Sequence, residues 1–259
     1  MTPRDAEALR WMRAAGRVIA EMHEVCARAA KPGATTAELN AAASQVLELR
    51  NATSNFLGYH GFPAVICASV NTAVVHGIPN GDVLRDGDIV SIDCGAIVNG
   101  WHADAAITVP VGDVDEEARR LIDATRAALS AAIACARPGV RLGAIGAAIE
   151  TTVGAAGFAV VEDYSGHGIG RAMHEPPEVA NFAGGADRKV RLELGNTIAI
   201  EPIVVTGDAT TDVLADGWTV VTKDGGRAAH FEHTIAIGPD GAEVLTLPWG
   251  PLDPPTAPV

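Results

Sequence analysis

Residues 89–104 read I-V-S-I-D-C-G-A-I-V-N-G-W-H-A-D. An apolar run of Ile89, Val90 and Ile92 leads to Asp93 and then to Asn99-Gly100, and a second run of Ile107 and Val109 follows Asp104. Asn-Gly between apolar segments predicts a two-residue hairpin, because a type I′ turn needs positive φ at both central positions. With that turn Asp104 lies opposite Gly95, two places from Asp93. The two-residue period of a strand then puts both carboxylates on one face. Two acids side by side repel unless something positive lies between them. Taken alone, the pair reads better as two solvated strand ends; the residues downstream change that.

The chain has 259 residues, enough for one large domain or two small ones with ample surface to bury. It is 48% hydrophobic but only 4% aromatic, so the core is built mostly of Ala, Val, Ile and Leu. A net charge of −13 argues against nucleic acid or an anionic membrane surface as partner, since no basic stripe is available to neutralise phosphates. Cys26, Cys67, Cys94 and Cys135 show no C-x-x-C spacing and are too few for a disulfide framework, which fits a reduced, cytoplasmic setting. The N-terminus carries Arg4, Asp5, Glu7 and Arg10 rather than an apolar signal segment, and no stretch approaches the ~20 apolar residues of a membrane span.

Met12, Ala15, Ile19, Met22, Cys26 and Ala29 form the stripe of an amphipathic helix from about residue 5 to 30. Lys31-Pro32-Gly33 ends it, and Thr35 with Glu38 is a capping box for a second helix to about Arg50. The arrangement recurs 106 residues on. A helix over about 115–136 ends in Arg137-Pro138-Gly139, and Leu142, Ile145 and Ile149 open another. Helix, basic-Pro-Gly, helix, strands thus occurs twice, the pattern of a diverged internal duplication with a site between the halves. Strand-like runs close each half: 65–70 and the hairpin in the first, 196–205, 217–222 and 231–237 in the second. Helices grouped with antiparallel strands, without βαβ alternation, give an α+β class. Residues 1–247 read as one domain, and 248–259 as a Pro-rich tail.

The second half carries G-H-G-I-G-R-A-M-H-E-P-P at 166–177, in which glycines leave the ring of His167 unshielded. Glu201 in I-A-I-E-P-I and Glu232 in F-E-H-T-I-A-I each interrupt an apolar strand, where an unpaired carboxylate is expensive to bury. With Asp93 and Asp104 these make four carboxylates and one imidazole, a set suited to two divalent ions of the Mn, Co, Fe, Zn or Mg kind with a water held between them.

These segments, together with N-T-A-V-V-H-G-I-P at 71–79 and D-G-W-T-V-V-T-K-D-G at 216–225, resemble the type I methionine aminopeptidases of the pita-bread metallopeptidase superfamily, in their short bacterial form. The match runs from the first helix to the strand after Glu232. The resemblance implies a pita-bread fold, with pseudo-twofold helix-helix-strand halves around a curved antiparallel sheet. It implies that Asp93, Asp104, His167, Glu201 and Glu232 ligate two metal ions, and that His76 and His174 touch the substrate and stabilise the tetrahedral intermediate. Glu201 would take the proton of the attacking water. Tyr59, Phe62, Cys67 and Trp218, adjoined by Phe56 and Met173, would form the pocket for a methionine side chain. The implied partner is the N-terminus of a nascent peptide, met in transient contact with the ribosome, and the implied oligomeric state is a monomer. Phe62 stands where a second tyrosine is common, Ala105 and Ala106 where a hydroxyl residue often stands, and His230 where glutamine is common; none of them is expected to touch a ligand.

The implied activity is removal of the initiator methionine when the second residue is small. Met1-Thr2 is itself such an N-terminus, so intact-mass analysis is expected to find Met1 absent from the native protein. A Pro-directed peptidase of the same superfamily is the alternative enzyme, although such enzymes usually carry an additional N-terminal domain for which 259 residues leave no room. A pita-bread binding module without catalysis is the third reading, and should lack some of the five ligands.

Overall fold

The computed structural model describes residues 1–247, so the tail expected from Pro248 lies outside the described residues. Helix α1 (Ala6–Ala29) is capped by Asp5, whose side chain accepts from the Ala8 amide at 2.8 Å. Helix α2 (Thr36–Leu49) begins with the expected capping box. The Thr35 hydroxyl accepts from the Glu38 amide at 3.2 Å, and Glu38 accepts from the Thr35 amide at 2.7 Å. In the second half α3 (Glu116–Cys135) is capped by Asp115, and α4 (Leu142–Ala155) starts without a side-chain cap. Three of these helix ends coincide under the 106-residue offset: Ala29 with Cys135, Thr36 with Leu142, and Leu49 with Ala155. Gly33 and Gly139 occupy the same offset, with φ of 95° and 84°, a region open to glycine at no steric cost.

Among the described residues all strand pairs are antiparallel. In the first half β1 (Thr53–Ser54), β2 (Ile66–Val70) and β5 (Trp101–Pro110) pair with β4 (Ile89–Val98), while β3 (Ala73–Val75) lies outside that sheet. The turn between β4 and β5 is Asn99-Gly100, with φ of 50° and 72°, and the register sets Asp104 opposite Gly95 as expected. The second half contributes β6 (Ala159–Val160), β7 (Gly166–Gly168), β8 (Glu175–Val179), β9 (Thr197–Ile200) and β10 (Ile203–Val205). It continues through β11 (Thr211–Val213), β12 (Val220–Thr222), β13 (Ala228–His230), β14 (His233–Ile237) and β15 (Ala242–Val244). The largest sheet runs β15-β14-β9-β7-β8, and two smaller ones run β13-β10-β6 and β11-β12-β3.

The continuous strands expected at 196–205 and 231–237 are interrupted. The first divides at Glu201-Pro202 into β9 and β10, which belong to different sheets, and the second begins only at His233. Pro202 has no N–H to give a ladder, which accounts for a break at that point. Of 217–222, only Val220–Thr222 is strand, and Trp218 lies in the preceding turn.

Each half has its own core. Ile19, Met22, Leu39 and Val46 of α1 and α2 pack on Val90, Ile92 and Cys94 of the hairpin. Leu121, Leu129, Ile145 and Ile149 of α3 and α4 pack on Ile198, Ile200 and Ile235. Ile107 touches both cores, so the hairpin is the seam between the halves. Inside α1, a Cβ on Gly16 would lie 2.0 Å from the carbonyl oxygen of Leu245. Gly16→Ala gains up to ~1 kcal/mol of helix propensity but forces two backbones apart, at a cost of ~1–3 kcal/mol. Thermal unfolding is expected to show a Tm several degrees lower, at ~2–4 °C per kcal/mol; an unchanged Tm would mean that the Leu245 segment yields freely.

Candidate metal centre and substrate pocket

Asp93 and Asp104 project from adjacent strands of the hairpin onto one face, with Cys67 of β2 opposite Asp93 on the other side. The ladder between β9 and β14 pairs Ile200 with His233, and that between β10 and β13 pairs Ile203 with His230. Glu201 and Glu232 therefore face one another in the gap between the two ladder segments. They do not sit inside strands, as expected from the apolar runs around them, but where a chain leaves one sheet for the next. There the main chain of Glu232 turns to the other half and exchanges both backbone hydrogen bonds with Ala106, at 2.9 and 3.3 Å.

Two threonines flank this crossing. The Thr234 hydroxyl bonds the amide and the carbonyl of Asp104, at 2.9 and 2.8 Å. The Thr108 hydroxyl does the same for His230, at 2.8 Å each. Each hydroxyl supplies the donor and acceptor that a neighbouring strand would otherwise give. Neither threonine was singled out from the sequence; a polar residue in each apolar run (I-T-V, H-T-I) was the available signal.

His167 stands on β7 between glycines that the packing demands. A Cβ on Gly166 would meet the Ala199 carbonyl oxygen at 2.3 Å, and one on Gly168 the Pro176 carbonyl oxygen at 2.5 Å. Its Nδ1 lies 2.9 Å from the Gly168 carbonyl, which can only accept. Nδ1 therefore carries the proton, and the lone pair of Nε2 faces the centre. Nε2 is 3.7 Å from Glu201 Oε1. One ligand atom each from Asp104, His167 and Glu232 lies within 4.8 Å of the other two. Asp93 Oδ1, Asp104 Oδ1 and Glu232 Oε1 are enclosed without any hydrogen-bond partner.

The electrostatics match this geometry. Burial pushes Asp93 up to about 7, while Asp104, Glu201 and Glu232 are carried well above the carboxylate range, first by burial and then by one another's charge. Four such groups can ionise together only if cations compensate them, so the donor set fits divalent metal. Burial and the neighbouring His174 bring His167 down to about 4, leaving it neutral and able to ligate.

All thirteen site residues expected from the sequence line one pocket of about 780 Å³, counting its open mouth. Phe62 meets Trp218 edge-on at 5.1 Å and Phe56 at 6.4 Å, and Cys67 and Met173 complete the apolar wall. His76 reaches the pocket from a backbone with φ of 59°, an uncommon conformation for a residue with a side chain and one that concentrates at functional sites. At the mouth, the Tyr59 hydroxyl bonds His174 Nδ1 at 2.9 Å. Tyr164 and Ser165 also line the pocket and were missed, although they directly precede the Gly-His-Gly motif. Of the departures, His230 does approach the centre. It is buried, and its unbonded Nε2 lies 3.8 Å from Glu201 Oε2. Ala106 touches Glu232 through its backbone.

Among the described residues, no helix is long and apolar enough to cross a membrane. The family model of metallopeptidase family M24 matches residues 10–239. The methionine aminopeptidase 1 of Bacillus subtilis is 45% identical over 245 residues, spanning 95% of this chain and 97% of that protein. The crystal structure of methionine aminopeptidase from Thermotoga maritima superposes with a TM-score of 0.93 at 40% identity, over 95% of this chain and 99% of that one. A prolidase from Pyrococcus furiosus shares the fold alone, with a TM-score of 0.77 at 20% identity over 94% of this chain and 65% of its own length. Hairpin, crossing strands, carboxylate cluster and these likenesses lead to one statement: the chain belongs to metallopeptidase family M24 and, within it, to the methionine aminopeptidases.

Proposed function

We propose that this chain removes the initiator methionine from nascent chains whose second residue is small. The observation that carries the reading is the convergence of four carboxylates, three of them with an unpartnered buried oxygen, and one neutral imidazole on the floor of a pocket walled by aromatic rings and sulfur. Asp93, Asp104, His167, Glu201 and Glu232 would hold two divalent ions, and such O and N donors accept Co, Mn, Fe, Zn or Mg. Bound there, the ions supply positive charge that polarises a carbonyl and brings the pKa of water toward neutrality.

The remaining work falls to side chains. Glu201, its two oxygens lying between His167 and His230, accepts the proton of the attacking water and delivers it to the leaving amine. The Tyr59 hydroxyl lies 2.9 Å from His174 Nδ1; with the hydroxyl as donor the ring keeps its proton on Nε2, where it would serve as donor to the oxygen that gains charge. His76, brought down to about 4 by burial and by His174, is neutral at physiological pH and supplies a second donor. The methionine side chain lies against Phe62, Trp218 and Tyr59, where sulfur–ring contacts are worth ~0.3–1.5 kcal/mol each. The enzyme works as a cytoplasmic monomer that meets peptide at the ribosome in transient contact.

The test is hydrolysis of Met-Ala-Ser against Ala-Pro by metal-free protein titrated with each of these ions. Release of methionine only after metal addition is the expected result. Cleavage of Ala-Pro instead would assign the chain to the proline-directed branch. No turnover of either peptide, with metal binding seen by calorimetry, would favour a binding module.

A further inference from the structure

Arg4 precedes the first helix, yet its side chain is only 10% exposed and lies in the second half. The arm is seated by its own amide, which donates to the Gly195 carbonyl at 2.7 Å. From there the guanidinium donates to Thr197 Oγ1 at 3.2 Å and to the Ile169 carbonyl at 3.3 Å, and it pairs with the carboxylate of Glu175. A Cβ on Gly170 would fall 2.1 Å from a guanidinium nitrogen, so glycine there is what admits Arg4. The other oxygen of Glu175 accepts the amides of Arg171 and Ala172, at 2.8 and 3.1 Å.

One cation thus holds both ends of the seven-residue loop 169–175, through the carbonyl of Ile169 and the carboxylate of Glu175. The span between them puts Met173 and His174 into the pocket. No residue of that span has a repetitive secondary structure to fix it.

We infer that Arg4 is a positioning residue for the reaction, holding loop 169–175 so that His174 and Met173 face the substrate. This rests on the reading of His174 as a donor to the reacting oxygen. Removing a donor of that kind costs on the order of 10²–10³-fold in rate, and misplacing one by about 1 Å can cost on the order of 10²-fold.

The experiment is a cycle of Arg4→Met, His174→Ala and the double variant in the metal-loaded enzyme, with hydrogen exchange of the Arg171 and Ala172 amides. Arg4→Met is expected to lower kcat by about 10-fold or more with KM changed by less than about 3-fold, because the displaced group acts on the transition state. In the His174→Ala background the same substitution is expected to cost less than about 2-fold, since coupled residues are not additive. The two amides are expected to exchange about 10-fold faster or more in Arg4→Met, while the rest of the chain keeps its protection. Arg4→Lys restores the charge but not the fork that spans three partners, so partial rescue is expected. Losses that simply multiply, or amides that stay protected, would overturn the proposal while leaving the role of His174 intact. Full activity of His174→Ala would instead remove the role of His174, and with it the proposal.

Discussion

Replacing Asp104 with asparagine is expected to reduce methionine release by on the order of a thousand-fold while leaving the metal-free protein as stable as before, or more so. Asp104 is buried on the hairpin face shared with Asp93, and its Oδ1 has no partner. Its contacts with the second half run through its backbone amide and carbonyl to the Thr234 hydroxyl, and these survive any change of side chain. An amide has nearly the same volume as this carboxyl group, which burial and the charges of Asp93 and Glu201 hold toward its protonated, neutral form in the metal-free fold. Exchanging it for a neutral amide therefore costs that fold little, and removes the repulsion that ionisation would bring. The same change would withdraw one of the proposed anionic ligands, and since altering groups that merely support a ligand already costs about 10–100-fold in metal affinity or activity, a ligand itself should cost more. Calorimetric titration with Mn should show the loss directly. Activity within ten-fold of the parent, or undiminished metal affinity, would remove Asp104 from the ligand set.

The metal-free protein should lose stability as pH rises from about 7.5 to 8.5, and divalent metal should abolish or reverse that trend. Asp93 is pushed up to about 7 by burial, and Asp104, Glu201 and Glu232 lie well above their ordinary values for the same reason, joined by mutual repulsion. A carboxyl whose folded pKa is raised holds its proton in the native state after the unfolded chain has released it. Its contribution to stability is complete below the unfolded pKa of ~4 and is lost as pH climbs through the folded value. Buried histidines act in the opposite sense. Burial brings His23 and His230 to about 3, and His76, His167 and His233 to about 4. These groups favour the native state increasingly until the unfolded imidazoles have lost their protons, by about pH 7.5, and add little slope above it. Above about 7.5 the carboxyl groups set the trend, each titrating group contributing up to ~1.4 kcal/mol per pH unit. Metal binds the deprotonated set, so its stabilisation grows over the same range. Tm measured from pH 7.5 to 8.5, with chelator and with Mn, should diverge; parallel curves would contradict a carboxylate metal centre.

Much of this was legible in the sequence because it depends on local rules. The Asn99-Gly100 turn fixes the hairpin register, and the register fixes which face carries Asp93 and Asp104. The Thr35–Glu38 capping box and the repeated Pro-Gly elements locate the helices to within a residue or two. The breaks at Glu201 and Glu232 were harder to see, because a strand that passes between sheets keeps its two-residue apolar period on both sides. Pro202 was the clue, as a residue that cannot donate to a ladder. Arg4, Thr108 and Thr234 depend on contacts more than 120 residues away along the chain, and no local pattern encodes such a distance. His230 approaches Glu201 for the same reason: its direction is set by the crossing of β5 over β13 and β14, not by its neighbours in sequence.

That crossing also has a consequence in time. The proposed ligand set is divided, with Asp93 and Asp104 on the hairpin and His167, Glu201 and Glu232 beyond residue 160. Ala106 and Glu232 meet backbone to backbone only when the halves have docked, and such a distant pairing forms late, after the loop-closure entropy has been overcome. Neither half offers more than part of a coordination sphere while it folds alone. Capture of metal during refolding therefore clocks the meeting of the two halves rather than the formation of either one.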